Sequence, residues 1–187
     1  MPIFKNLTFE EVVYIENVLK LADSGSDELI FNGNEGYAQI LVHQMLLRAT
    51  DNMRILSTFL RPDIYNDSRI ISAMEKIISK GNVEIRILLQ DSQKLSKKNE
   101  FLKLCYGYNK CKIYQVANPR SEELKAHFIT MDNKAYRYCA DSTKDHYEDD
   151  AIQAVASFNR PQTADNLNKR FERFSEDATE VVVPWLQ

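Results

Sequence analysis

Hydrophobic and polar positions in the first two thirds of the chain alternate between helical and strand-like periodicity. Helical periodicity occurs in 37–50, 68–80 and 95–105, and short apolar runs typical of buried strands occur in 53–59, 83–89 and 111–116. Gly81 follows the second helix at the position where a left-handed glycine commonly ends a helix. Strands separated by helices predict an α/β fold with a mixed, largely parallel sheet covered by helices on both faces.

The two ends of the chain add further elements to this pattern. Thr8 and Glu11 have the spacing of a capping box at the start of an amphipathic helix in 7–22, and a short strand is predicted at 28–31. Strand-like segments without intervening helices are 126–131, 135–139 and 151–158. They predict a hairpin, and a helix begins close to Pro161.

These elements predict a single core domain, because 187 residues suffice for one hydrophobic core and are few for two. We expect an N-terminal helix and turn at 1–27, an α/β domain at 28–176 and an extended C-terminal tail at 177–187. No stretch of about 18 apolar residues could span a bilayer, and the first residues lack a secretory signal pattern. The expected location is therefore the cytoplasm.

Charge and cysteine content narrow the classes of function. A formal net charge of -3 argues against a surface that is basic all over, which non-specific binding to duplex DNA usually needs. Cys105, Cys111 and Cys139 have neither zinc nor redox-motif spacing, and we interpret them as buried thiols. No metal or cofactor is predicted.

Basic and aromatic residues interleave in 94–125, a pattern that suits a single-stranded nucleic acid stacking on rings while lysines contact phosphates. Lys97, Lys98 and Lys103 are the candidate nucleic-acid contacts. A solvated helix face combined with core aromatic residues accounts for the same pattern, so both interpretations stay open.

The segment "LKAHFITMDNKAYRYCADST" carries the candidate site chemistry. Lys125 and His127 are two residues apart on a predicted strand and therefore point to one face. Asp132 and Asn133 suit a tight hairpin turn, which gives Asp132 a structural role. Arg137 and Tyr138 are adjacent on the next strand, so only one of them can face the same cleft.

The order of elements and several strings resemble the phospholipase D superfamily over about 28–176. "LVHQMLLRATDNMRILSTFLRPD" and "AMEKIISKGNVEIRILLQD" resemble its helix, strand, helix, glycine, strand unit, and "FNRPQTADNLNKRFERF" resembles its closing helix. The resemblance implies a motif His-x-Lys-x4-Asp followed by Gly-Ser-x-Asn, present in two copies per active site. In that family the histidine attacks phosphorus, and the lysine and asparagine hold the phosphate oxygens. Members with one motif pair as homodimers.

This sequence departs from the family motif. Aligned on Asp132, Lys125 occupies the histidine position and His127 the lysine position, which moves the imidazole by about 6–7 Å along a strand. The Gly-Ser-x-Asn spacing falls on Cys139, Ala140 and Ser142, so the phosphate-holding groups of the family are lost.

The sequence therefore favours a non-catalytic phospholipase-D-like domain that acts as a binding or regulatory module for an anion, a nucleic acid or a protein partner. The candidate anion- or phosphate-binding residues are Lys125, His127, Arg137 and Ser142. An alternative is a metal-independent phosphodiesterase or nuclease that uses His127 as catalytic residue across a homodimer interface. A nucleic-acid binder without chemistry is the third hypothesis.

Overall fold

The computed structural model describes residues 8–117, 124, 126–140 and 154–186. The α-helices in these residues are α1 (Phe9–Ser24), α2 (Glu35–Arg48), α3 (Pro62–Tyr65), α4 (Ser68–Lys80), α5 (Glu100–Gly107) and α6 (Pro161–Ser175). The strands are β1 (Ile30–Asn32), β2 (Asn52–Ser57), β3 (Glu84–Leu89), β4 (Cys111–Gln115), β5 (His127–Met131), β6 (Ala135–Cys139), β7 (Ala154–Ser157) and β8 (Thr179–Glu180). Short 3-10 turns lie at Ser92–Lys94 and Pro184–Leu186.

Local sequence signals account for where the helices begin and end. Thr8 and Glu11 form a complete capping box at the start of α1. Gly25 and Gly81 follow α1 and α4 with φ of 61° and 65°, a left-handed conformation that costs glycine little. Pro161 occupies the first turn of α6, where its missing N–H leaves no intrahelical bond unmade.

The strands form one mixed sheet in the order β1-β7-β6-β5-β2-β3-β4-β8. The predicted α/β class with helices on both faces of the sheet is confirmed. The balance of strand directions differs from the expected largely parallel sheet, because among the described strands only β2–β3 and β3–β4 are parallel pairs. The hairpin β5–β6 inserts antiparallel beside β2, and β7, β1 and β8 extend the sheet by antiparallel pairing.

Two hydrophobic layers cover the two faces of this sheet. Helices α1, α2, α4 and α5 pack over one face, which includes the buried side chains of Ile55, Ile87 and Ile129. On the other face, α6 packs Phe171 and Phe174 against the sheet. Because side chains alternate along each strand, both faces of the central strands are buried, as the continuous apolar runs indicate.

In the described part of the chain, no helix has the length and apolar character that crossing a bilayer requires.

Candidate functional site

His127 is the first residue of β5. It lies beside the carboxyl end of β2 and contacts Thr58. Its Nε2 atom is 2.7 Å from Thr58 Oγ1 and accepts a hydrogen bond from the Thr58 N–H at 3.2 Å. A main-chain N–H can only donate, so Nε2 carries no proton in this arrangement. The neutral ring therefore carries its proton on Nδ1, and the Nε2 lone pair is directed at Thr58.

Amide side chains join the neighbouring strand ends to this histidine strand. Gln90 Nε2 donates to the Ala126 carbonyl at 3.0 Å, and Gln115 Nε2 donates to the Gln90 carbonyl at 2.8 Å. The Ser92 N–H donates to Gln115 Oε1 at 2.6 Å. These bonds link the ends of β3 and β4 to the segment that enters β5. The side-chain amides of Gln90 and Gln115 are therefore engaged by main-chain groups of the protein.

The loop that follows β2 is held in a specific conformation beside Thr58. Leu60 is fully buried with a φ of 53°, which is uncommon for a residue with a side chain. Its N–H donates to Ser57 Oγ at 3.1 Å, and its carbonyl accepts from Asn99 Nδ2 at 2.6 Å. Asn99 is itself fully buried, so both contacts hold the loop in this form.

Two of the predicted anion-binding residues, Lys125 and Ser142, lie outside the described residues. Arg137 is described and is buried at 6% exposure. Its Nε and one terminal nitrogen donate to Asn32 Oδ1 at 2.9 and 2.6 Å. Because Asn32 is on β1, two strands from β6, these bonds direct the guanidinium away from the boundary of β5 and β2 where His127 contacts Thr58.

Cys139 ends β6 and Ala140 follows it; the sequence predicts these two residues at the Gly-Ser positions of the phospholipase D motif. Cys139 is buried and is the cross-strand partner of His127. Asp132 is at the other end of β5, about 16 Å from His127 for a strand of this length.

The Asp132 carboxylate accepts hydrogen bonds from the segment that enters β2. The donors are Thr50 N–H at 3.0 Å, Thr50 Oγ1 at 2.8 Å, Asp51 N–H at 2.9 Å and Asn52 N–H at 3.1 Å. Asp132 and Asn133 both have left-handed backbone conformations, with φ of 50° and 54°. The carboxylate therefore ties the β5–β6 turn to the start of β2.

The candidate nucleic-acid lysines are on the surface around α5. Lys97 and Lys98 are exposed, whereas Lys103 Nζ pairs with Glu100 at 2.8 Å. Two aromatic residues of this region are buried. Phe101 has no exposed surface, and the Tyr108 hydroxyl donates to the Val83 carbonyl. These two rings belong to the core and offer no stacking surface.

Sequence reasoning missed an ion-pair cluster on the α6 face. Glu172 of α6 accepts hydrogen bonds from Arg54 at 3.0 Å and from Arg86 at 2.7 and 2.8 Å. Burial alone would raise the pKa of Glu172, but the hydrogen bonds and charges of the two arginines lower it overall. The repeated string "RIL" in β2 and β3 places the arginines at paired positions and is the signal that could have revealed them.

Among the residues that the structure describes, no group of three His, Cys, Asp or Glu side chains could hold a metal ion.

A family of domains of unknown function, DUF7931, matches residues 34–182. The chain belongs to this family. No curated protein sequence matches the chain. The family description assigns no activity, so the structure carries the functional inference for this DUF7931 domain.

Solved structures similar to this DUF7931 domain include phospholipase D family members. Nuc from Salmonella typhimurium, a phospholipase D family member, is 18% identical with a TM-score of 0.56, covering 83% of this chain and 97% of Nuc. NucT from Helicobacter pylori is 13% identical with a TM-score of 0.58, covering 82% of this chain and 98% of NucT. The DUF7931 domain therefore has a phospholipase-D-like fold.

A third similar structure is TrmBL2, an archaeal chromatin protein whose structure shows a novel mode of DNA binding. It is 13% identical with a TM-score of 0.56, and the match covers 92% of this chain and 62% of TrmBL2. The phospholipase-D-like fold thus also occurs in a protein that binds DNA.

Proposed function

We propose that this DUF7931 domain is a non-catalytic phospholipase-D-like module that binds a partner or regulates one. The observation that carries the proposal is the hydrogen bond from the Thr58 N–H to His127 Nε2. A nucleophilic imidazole must direct a nitrogen lone pair at phosphorus in line with the leaving oxygen, at about 3–3.5 Å. In this structure the Nε2 lone pair is directed at the main chain.

The surroundings of His127 support the same conclusion. Attack on a phosphodiester needs cations placed beforehand around the phosphate oxygens. Arg137 is the described arginine among the predicted phosphate-binding residues, and its guanidinium donates to the buried Asn32. The inverted order of Lys125 and His127 and the loss of Gly-Ser-x-Asn are part of this proposal.

A hydrolysis assay of the purified full chain tests the proposal. The substrates are bis-nitrophenyl phosphate and single-stranded DNA, with EDTA present to remove metal-dependent contaminants. We expect no turnover above that of the His127→Ala variant. Hydrolysis that persists in EDTA and is abolished by His127→Ala would establish the alternative, a phosphodiesterase or nuclease that uses His127.

For the ligand, we propose an anionic partner, either a nucleic acid or an acidic protein surface. Lys97 and Lys98 are exposed beside α5, and a protein of the same fold, TrmBL2, binds DNA. Binding of fluorescent single-stranded DNA should weaken as salt rises, because lysines that contact phosphates release counterions.

The matched variants for this binding test are the double change of Lys97 and Lys98 to Glu and the single change Lys80→Glu. Lys80 is also exposed but ends α4. Loss of affinity in the double variant alone supports a nucleic-acid contact there. An affinity that is independent of salt and of both variants removes nucleic acid and leaves a protein partner.

A homodimer also belongs to the proposal, since members of the superfamily with a single motif pair in this way. A cytoplasmic location is likewise proposed, on the sequence pattern alone.

A further inference from the structure

Two of the three cysteines approach each other where α5 leads into β4. Cys105 is in the last turn of α5 and is fully buried, and Cys111 is the first residue of β4 and is half-buried. Two consecutive turns fold the chain back between them. The Tyr108 N–H donates to the Cys105 carbonyl at 3.2 Å, and the Cys111 N–H donates to the Tyr108 carbonyl at 2.9 Å.

Both cysteine side chains belong to the helix-covered layer. Cys111 alternates with the exposed Lys112 and points to the same face as Ile113, which is buried in the core cluster that includes Cys105. Cys111 packs against this same cluster, next to Cys105. Cys139 is on β6, separated from β4 by three strands of the sheet.

Solvent reaches this pair from the Cys111 side. A groove of about 180 Å³ is lined by Tyr106, Cys111, Ile113, Glu180, Val181 and Val182. A water molecule occupies about 30 Å³, so an oxidant the size of hydrogen peroxide can enter. Cys105 lies behind Cys111 with no exposed surface of its own.

The two thiols therefore have different chemical character. Burial first, and then the hydrogen bond and charge of Cys111, raise the pKa of Cys105 well above its ordinary value. Cys105 therefore stays protonated and is shielded, whereas Cys111 is the thiol that solvent and a dissolved oxidant reach. An accessible thiol beside a second, resolving thiol is the arrangement found in peroxide-sensing cysteines.

We propose that Cys105 and Cys111 form a peroxide-sensitive modification site that closes to an intramolecular disulfide. The Cys111 thiolate attacks one peroxide oxygen and breaks the O–O bond, which gives a sulfenic acid and, after proton uptake, water. The Cys105 sulfur then attacks the Cys111 sulfur and forms the S–S bond as the S–O bond breaks. The Cys105 proton leaves with the departing hydroxide as a second water, so two thiols are oxidised and one peroxide is reduced.

Peroxide treatment of the full chain, followed by alkylation under denaturing conditions, tests this site. We expect the number of reactive thiols to fall from three to one, and peptide mapping should join Cys105 to Cys111. The Cys139→Ser variant is the matched control, because it should still form the disulfide and lose both remaining thiols.

The Cys111→Ser variant should retain both of its thiols under the same treatment, with its fold checked by circular dichroism. This variant keeps the buried Cys105, so it avoids a change inside the core. A disulfide that includes Cys139 would overturn the proposal. So would three reactive thiols at a peroxide concentration that oxidises a small dithiol, or oxidation of Cys111 to the sulfinic acid with Cys105 still reduced.

Discussion

At the scale of single residues, Asp132 connects two segments that are far apart in sequence. Its carboxylate accepts from three main-chain N–H groups and one hydroxyl at the start of β2. Hydrogen bonds to a charged group each stabilise a folded protein by about 1.5–3 kcal/mol. Because these donors lie in one turn and are partly exposed, their contributions do not simply add.

Asp132→Asn should lower the free energy of unfolding by about 1–3 kcal/mol. Asparagine accepts the left-handed backbone of this position, so the change removes the charge and one acceptor without straining the turn. Urea unfolding measures the difference. Asp63→Asn is the control, since Asp63 is an exposed carboxylate whose pair with Arg61 should contribute under about 1 kcal/mol. Equal losses in the two variants would contradict the role of Asp132.

His43, on α2, gives a second prediction at this scale. Burial first, and then the neighbouring Arg69, lower the pKa of His43 from 6.5 to about 4. Below pH 6.5 the unfolded chain therefore binds a proton at this position that the folded chain does not. The stability that His43 contributes is complete above pH 6.5 and is lost as the pH falls towards about 4.

An NMR titration should show the His43 ring resonances constant from neutral pH down to about pH 5, with the transition near pH 4. His43→Gln should flatten the pH dependence of the unfolding free energy between about pH 6.5 and pH 4. A ring that titrates at its ordinary value would contradict the burial inferred from the structure.

At the scale of elements, Glu172 links α6 to the sheet through ion pairs. It bridges Arg54 of β2 and Arg86 of β3, and the Arg86 guanidinium also lies 5.2 Å from the centre of the Phe171 ring. The Glu172 side chain is 46% exposed, so solvent screening keeps the energy of this bridge modest.

Glu172→Gln should reduce the free energy of unfolding at neutral pH by about 1 kcal/mol. The lowered pKa of Glu172 means that this stabilisation is present above its ordinary value of about 4.5 and is lost as the pH falls below it. The control is Asp165→Asn on the same helix, which removes an exposed pair with Lys169. The two variants should differ at neutral pH and converge in acid, once the Glu172 and Asp165 carboxyl groups are protonated. A difference that persists in acid would contradict an ionic role.

Element types were predictable from local pattern, whereas strand order was not. The periodicity that predicts α4 and the Asp132–Asn133 pair that predicts the β5–β6 hairpin depend on neighbours in sequence. The insertion of β5 beside β2 depends on the pairing of Leu56 with Phe128, which no local pattern specifies. The partner of His127 was missed for this reason, since Thr58 becomes its neighbour only through that pairing.

At the scale of the whole molecule, strand β5 places His127 and Asp132 at opposite ends of the sheet. His127 contacts the carboxyl end of β2, and Asp132 contacts the start of the same strand. A fold of this kind retains the motif strand at its place in the sheet even when the residues on it serve structure. The phospholipase-D-like fold is therefore compatible with the proposed loss of the motif chemistry.

The proposed homodimer is tested at this scale by sedimentation equilibrium of the full chain. We expect a mass twice the 21.7 kDa of one chain at micromolar concentration. A mass of one chain at the highest soluble concentration would remove the homodimer and, with it, any active site shared between two motif strands.

The central claim is that the Nε2 lone pair of His127 is directed at Thr58. Two-bond proton–nitrogen NMR correlations of the histidine-labelled chain distinguish the two neutral tautomers of an imidazole. At a pH where the ring is neutral, we predict that Nδ1 carries the proton and Nε2 accepts from Thr58. A His127 ring with its proton on Nε2 would contradict the account and would leave Nδ1 as the nitrogen with a lone pair for chemistry.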